Sequence, residues 1–460
     1  MTGVATIILA AGKGTRMKSG LVKVLHPIMG KPMLSYPIDV ALKGLQAQRT
    51  VVVVGHQAER IHEVFPEDRL TFVRQEPLLG SGHAVLSAEG ALEGYKGTVL
   101  LLSGDVPLIE AETLKQLVAF HRRERSTLTV ATTRLPDPTG YGRIVRGSGG
   151  RVDAIVEEKD ASPLEREIEE VNTGIYCAEA PFLFSTLKRV RADNTQAEYY
   201  LTDIVRIGRE ENRKLLAFHV SESDQFIGIN TRVDLARSNE ILRRRTLERL
   251  MLDGVTIEDP ATTYIEADVV VGRDTVIHPN CVIQGRTTVG KECGIGPNCF
   301  IRSSEIEDHV TIRPFSVVEE SRISRGVVIG PFTRLRPDSQ ILEDARIGNF
   351  VEIKKSVVGE GSKVNHLAYV GDAALGERVN IGAGTIFCNY DGVRKHRTIV
   401  GNEVFVGSNT ELIAPLEIGD HAVIGAGSTI TGNVPEGSLA VSRVKQKNIK
   451  GWQKRKGRKR

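Results

Sequence analysis

Aromatic residues make up only 5 % of this 460-residue chain, and cysteine is scarcer still at five. Five is odd, and no two cysteines form a CxxC, so neither a disulfide framework nor a thioredoxin-type redox motif fits; a reducing cytoplasm is expected. No apolar run approaches the ~18 residues of a membrane span, which excludes membrane insertion as a helix. The apolar stretch Val4 to Ala11 lacks a basic leader and runs straight into a glycine loop. It therefore reads as a buried strand and not as a signal peptide. Acid is missing from residues 443–460, which hold ten Lys or Arg; without those ten, the net charge of +4 becomes −6 for residues 1–442. Such a terminal run is usually a solvated tail, and no aromatic stacking pattern accompanies it, so a nucleic-acid partner is not expected. Hydrophobic content of 40 % and charged content of 26 % describe a soluble chain, long enough for about two or three domains.

The second half counts in sixes. Val271, Ile277, Ile283, Val289, Ile295 and Ile301 are evenly spaced, as are Ile323 to Ile353 and Val400 to Ile430. Neither a helix (period near 3.6) nor a half-buried strand (period 2) explains this spacing. A hexapeptide repeat does: short strands wind as a prism, and each aliphatic residue stacks on the coil below. That predicts a parallel β-helix, and a core of stacked Val and Ile explains the few aromatics. From Val271 to Ile430 there are roughly nine coils, or ~40 Å at ~4.8 Å per strand. The ladder slips to five at 301–306, 318–323, 353–358 and 370–375, and is interrupted from Phe387 to Val400 by an insertion containing CNYDGVRKHR. Cys281, Cys293 and Cys299 each stand two residues before a ladder position, in the small inward slot. They read as packing residues and not as metal ligands.

Before the repeats, strand-like runs (TIILA, TVVVVG, LTFV, TVLLLSGD, TLTVATT) alternate with helical segments such as 31–45 and 110–125. An α/β unit with a mostly parallel, Rossmann-like sheet follows, and ligands of such sheets bind at the carboxyl ends of strands. The segment 230–252 has no Gly or Pro and reads as a connecting helix. The expected division is 1–228, a helical linker 229–250, and 251–460.

After strand TIILA come Gly12, Lys13, Gly14 and Arg16. Glycines there let backbone N–H groups approach an anion, and the two cations suit a polyphosphate. Asp105 ends a hydrophobic strand; with a distant amide oxygen it makes a sensible Mg²⁺ site, since Mg²⁺ keeps several waters. LAAGxGTRM followed by Lys23 in KVLHP is long and rare, and it resembles the sugar-1-phosphate nucleotidyltransferases. The resemblance continues in RQEPLLGSGHA, LLLSGDVPL, GYGRI, VEEKD, NTGIY and GIN, in that order. It implies substrate contacts from Leu9, Ala10, Ala11, Gly12, Lys23, Gln75, Gly80, Ser81, Ser103, Gly104, Gly142, Glu157, Asn172 and Asn230. Catalytic roles fall to Arg16 and Lys23, and Mg²⁺ to Asp105 and Asn230. Ser81 and Ser103 depart from the pattern, which expects Thr and often an aromatic; both positions are expected to use backbone atoms. His83, alone in a turn, reads as structural.

In the second half, Arg336 and Lys354 each follow a ladder position by one and His366 follows one by two, so all three should face outward. The cations suit a sugar phosphate. With Asn389 and Tyr390 in the insertion, this set resembles the bifunctional UDP-N-acetylglucosamine pyrophosphorylase/glucosamine-1-phosphate N-acetyltransferase family, over Leu9 to Arg443. The resemblance implies a left-handed β-helix, a homotrimer, and UDP-N-acetylglucosamine supply for cell-wall peptidoglycan from UTP, glucosamine 1-phosphate, N-acetylglucosamine 1-phosphate and acetyl-CoA. It makes His366 the general base with Glu352 orienting it. Arg336, Lys354, Tyr369 and Asn380 would bind the sugar phosphate, and Ala383, Asn389, Tyr390, Ser408, Ala426 and Arg443 acetyl-CoA. Two alternatives are a monofunctional nucleotidyltransferase with a regulatory β-helix and a non-catalytic partner protein. The first should lack the base and the Arg/Lys pair, the second Asp105 or Lys23; all are present.

Overall fold

A computed structural model describes residues 3–66, 68–147 and 150–453. Basic residues 454, 455, 456, 458, 459 and 460 of the tail lie outside the described residues. Internal contacts divide the chain into two units, Met1–Leu242 and Arg243–Arg460, the division falling inside a helix that runs Arg232–Leu252.

In the first unit the main sheet runs, edge to edge, Leu215–His219, Leu128–Arg134, Glu170–Glu179, Thr98–Ser103, Ala5–Ala10, Arg49–Val54 and Leu70–Arg74. The β-branched central strands are buried on both faces, so alternate residues feed two cores. Ile7, Val51, Val53 and Leu101 enter one, and Ile8, Val52, Val54 and Leu100 the other. Strand Glu170–Glu179 runs antiparallel between two parallel neighbours, and its register shifts between Asn172 and Tyr176. Such a bulge re-aims a side chain, here Asn172. A hairpin of Arg143–Arg146 and Val152–Val156 pairs beside it. The helix expected over 31–45 is broken: Lys31–Pro32 is a short strand, and Ser35–Asp39 is helical before a wider turn at Val40–Gly44. Pro32 supplies no N–H and cannot sit in a helix interior, whereas Pro37 falls in the first turn of Ser35–Asp39, where no intrahelical N–H bond is lost.

Helix Ala111–Arg123 buries His121 against Thr129, whose Oγ1 lies 2.9 Å from Nδ1. Burial, with Arg122 nearby, pushes the imidazole pKa down to about 4. The folded state thus prefers neutral His121, so its contribution is complete above the unfolded value near ~6.5 and is lost as pH falls toward 4. We expect the first unit to lose on the order of 3 kcal/mol across that window through this group. Denaturant titrations at several pH values check it: His121→Gln should flatten that part of the slope, and an unchanged slope would acquit His121.

The second unit is a left-handed parallel β-helix. Among the described residues its three faces hold eleven, ten and nine strands; face one starts at Thr256–Ile257, face two at Tyr264–Ile265 and face three at Val270–Val271. Ile277 pairs in register with Ile295, and Ile283 with Ile301, eighteen residues on. The ladder residues form one continuous core. Where the sequence slips to five, register shortens to seventeen: Val289 pairs with Ile306, and Ile341 with Val358. The missing residue comes from the corner between faces two and three, turned by Ser303, Glu320, Lys355 and Asp372 with φ of 46 to 49°. Cys281, Cys293 and Cys299 face inward and donate Sγ–H to the carbonyls of Gly296, Glu307 and Arg313 at 3.1 to 3.3 Å. Thr275 fills the same slot, donating to Gly290 at 2.8 Å.

Candidate active sites

In the first unit, parallel strands Ala5–Ala10 and Thr98–Ser103 end side by side, with Leu9 opposite Ser103. The chain leaves the first through Ala11 to Gly14, and Gly104 N–H returns to the Leu9 carbonyl at 2.9 Å. A cavity of about 480 Å³ opens there, lined by Leu9, Ala10, Ala11, Gly12, Ser81, Ser103 and Asp105 among others. Gly14 has φ of 62°, and a Cβ on it would meet Lys23 Cβ at 2.5 Å. A larger residue would therefore displace Lys23.

Lys23 is the centre of the charge arrangement. Its ammonium is paired with Asp105 and lies 3.1 Å from Asn230 Oδ1. Arg16 donates to the same amide oxygen at 2.8 Å. Asp105 Oδ1 accepts the Ser103 hydroxyl at 2.7 Å. One carboxylate and one amide oxygen thus converge on a single cationic point, a donor set that suits Mg²⁺ with most of its waters retained.

The next strands add the remaining walls. Gln75 N–H donates to Val54, and its amide donates to the Gly80 carbonyl at 2.9 Å with His83 Nδ1 at 3.2 Å. His83 therefore holds Gln75, the structural part expected of it. Ser81 Oγ accepts Leu201 N–H at 3.0 Å, while Gly82 N–H donates to Tyr199, clasping segment 199–201 onto the loop. Gly142, Glu157 and Asn172 come together: a Cβ on Gly142 would stand 3.5 Å from Glu157 Oε2 and 3.6 Å from Asn172 Cβ. Burial raises the Glu157 pKa, opposed by a hydrogen bond from Thr202 at 3.3 Å.

In the second unit the expected residues distribute over a corner and two faces. At the corner between faces one and two, stacked carbonyls tie successive coils. Leu367 N–H donates to Asn349, Gly384 to His366, Asn409 to Ala383 and Gly427 to Ser408. Asn349, His366, Ala383, Ser408 and Ala426 therefore form one column, and Arg443 reaches it by donating to the Ala426 carbonyl. His366 and the acetyl-CoA positions Ala383, Ser408 and Ala426 of the column stand on successive coils of one chain. On face two, Glu352 pairs in register with Tyr369. Arg336 donates to Glu352 at 2.9 Å. Lys354 is driven below its ordinary pKa by contact with Lys395. Asn380 lies on face one, in register with Lys363 and Phe405.

Two placements differ from expectation. The partner of His366 is Asn349, whose Oδ1 lies 2.8 Å from Nδ1, whereas Glu352 is committed to Arg336; the guanidinium on the neighbouring coil is the stronger attraction for a carboxylate. Asn389 is buried, and its amide goes to Asp372 and to Tyr369 Oη, so it joins the face-two group. Tyr390 pairs with Lys395 in a small hairpin, which Asp391 closes by accepting Val393 and Arg394 N–H. Sequence reasoning missed Ser103 as a side-chain partner, Asn349 and Lys395. Lys395 had a signal, its charge inside the insertion; Asn349 had only its place seventeen residues before His366.

The first unit is of the nucleotidyltransferase class and the prism of the hexapeptide-repeat transferase class. Residues 6–170 match the MobA-like NTP transferase domain family, 265–339 the GMPPB C-terminal domain, and 397–432 the bacterial transferase hexapeptide (six repeats). Over 453 residues the chain is 51 % identical to the bifunctional protein GlmU of Pelobacter propionicus, covering 98 % of each. Identity is 50 % to those of Geobacter sulfurreducens, covering 99 % of each, and of Exiguobacterium sp., covering 98 % of this chain and 99 % of the relative. The chain belongs to the GlmU family of bifunctional proteins. It is thus a uridylyltransferase and acetyltransferase of UDP-N-acetylglucosamine synthesis, and the monofunctional alternative falls. Among the described residues no helix is long and apolar enough to cross a membrane.

Proposed function

We propose that the first unit joins UTP to N-acetylglucosamine 1-phosphate at the cavity beside Lys23. Gln75, Gly80 and Ser81 would hold the uracil, backbone from Leu9 to Gly12 and Ser103–Gly104 the nucleotide, and Gly142, Glu157 and Asn172 the sugar. The sugar phosphate oxygen attacks the α-phosphorus in line and pyrophosphate leaves, while Arg16 and Lys23 offset the charge that builds on the phosphates. Asp105 and Asn230 would hold Mg²⁺, which as a Lewis acid withdraws charge from phosphate oxygens. One observation carries this reading: three distant stretches of sequence, bearing Arg16 with Lys23, Asp105 and Asn230, meet at one point.

In the second unit His366 takes the amine proton of glucosamine 1-phosphate as the nitrogen attacks the thioester carbon of acetyl-CoA; the C–S bond then breaks and coenzyme A leaves as its thiol, taking the proton from the imidazolium. With Nδ1–H given to Asn349, Nε2 keeps its lone pair for that proton. Arg336, Lys354, Tyr369 and Asn380, joined by Lys395, would hold the sugar phosphate; two lysines pressed together are relieved by an anion. Asn389 would brace that group through Tyr369. Acetyl-CoA would lie along Ala383, Ser408, Ala426 and Arg443, and Tyr390 would meet it from a neighbouring copy. Five unpaired cysteines, four of them buried, suit a reducing cytoplasm, from which the product would supply peptidoglycan synthesis.

A homotrimer supports this arrangement. Along the His366 corner, Phe315, Phe332 and Phe350 are stacked 5.0 and 5.2 Å apart and about half exposed, and Leu367 continues the line. A continuous apolar edge is costly in water and suits a self-complementary contact. Tyr390, meanwhile, projects from a different corner than His366, so a second copy can bring the two together. Phe332→Glu should shift the particle from three times the 50.3 kDa chain to smaller species in sedimentation. Acetyl transfer should be lost with it and uridylyl transfer kept. A monomer fully active in acetyl transfer would overturn the trimer proposal.

A further inference from the structure

Among the described residues Arg143 is one of the largest fully buried side chains, 2 % exposed, and its Nε–H has no partner there. The groups that do satisfy it belong to the two loops carrying the sugar-facing residues. One terminal nitrogen donates to the Tyr141 carbonyl, next to Gly142. The other donates to Glu158 Oε2 at 2.7 Å, next to Glu157. Glu158 Oε2 also accepts Gly140 N–H at 3.3 Å. Tyr141 in turn lies beside the backbone of Gly228, two residues before Asn230. A guanidinium offers its donors in a rigid planar fork, so the two loops are held at a fixed separation.

We infer that Arg143 is a positioning residue for the sugar pocket: through Tyr141 and Glu158 it sets where Gly142 and Glu157 stand relative to each other and to Asn230. The inference rests on the first unit's being the uridylyltransferase. A buried cation with one donor unpaired is costly, and what its fork holds is the pair of loops that carry Gly142 and Glu157. Arg143 lies behind Gly142 and Glu157, so its role is indirect and selective for the sugar phosphate over UTP.

The test is steady-state kinetics of UDP-N-acetylglucosamine formation with each substrate varied in turn. Arg143→Met should raise KM for N-acetylglucosamine 1-phosphate at least ~10-fold and leave KM for UTP within about twofold, the mark of a defect confined to one substrate's binding. Arg143→Lys should recover part of the loss, and Glu158→Gln, which keeps the side-chain shape, should shift the same KM in the same direction by less. Acetyl transfer stays at wild-type rate in all three and reports on folding of the rest of the chain. If Arg143→Met does not fold, the Lys and Gln variants carry the test. Parallel rises in both KM values, or an unchanged sugar-phosphate KM in the folded variants, would overturn the positioning role. A wild-type protein that makes no UDP-sugar would instead overturn the underlying assignment.

Discussion

Replacing Asp105 by alanine is expected to lower uridylyl transfer at least ~10³-fold, the rate equivalent of losing several kcal/mol of charge stabilisation around the phosphates. Acetyl transfer should stay within about twofold, since effects at unshared sites are independent. Asp105 is fixed from both sides, by Ser103 on Oδ1 and Lys23 on Oδ2, so the substitution removes a placed carboxylate and not a wandering one. Asp105→Asn separates charge from shape: it can keep both hydrogen-bonding neighbours yet should still lose most of the rate. Assays of both half-reactions on each variant check this. Simultaneous loss of both activities would show that the two sites are coupled.

His366→Ala should cost acetyl transfer at least ~10²-fold, the usual worth of a positioned general base, and spare uridylyl transfer. The competing route is a covalent acetyl group on Cys388. Burial, with Glu411 nearby, raises the Cys388 thiol above its ordinary pKa, which leaves little thiolate for attack. Cys388→Ala should therefore alter neither activity. Asn349→Ala should fall between, because it frees the His366 ring without removing it. A dead Cys388→Ala beside an active His366→Ala would require a thioester intermediate.

The prism was legible because its signal is periodic. Inward Ile and Val recur every sixth residue over long runs, and even the five-residue slips map onto one corner, where Ser303, Glu320, Lys355 and Asp372 turn the chain. The parallel core strands were legible from their apolar β-branched runs. Strand Glu170–Glu179 was not read as antiparallel, since nothing local to it encodes the direction of its neighbours. The motif residues at strand ends were also visible, as Gly12, Lys23 and Asp105 carry chemistry in recognisable spacing. Side-chain pairing was less so. Whether Glu352 turns to His366 or to Arg336 depends on which coil edge each side chain reaches, and Ser103 acts on Asp105 only because the strand end curls there. Asn389 looked available in a loop, yet folding of the hairpin buries its amide on Asp372.

Two separable sites within one chain are the central claim, and one assay reaches it directly: formation of UDP-N-acetylglucosamine from glucosamine 1-phosphate, acetyl-CoA and UTP. Asp105→Ala alone should stop at N-acetylglucosamine 1-phosphate, and His366→Ala alone should leave glucosamine 1-phosphate unconsumed. An equimolar mixture of the two should restore the complete conversion, with the acetylated sugar phosphate detectable free in solution. Failure of the mixture to make the nucleotide sugar, with each variant folded, or full conversion by either variant alone, would contradict it.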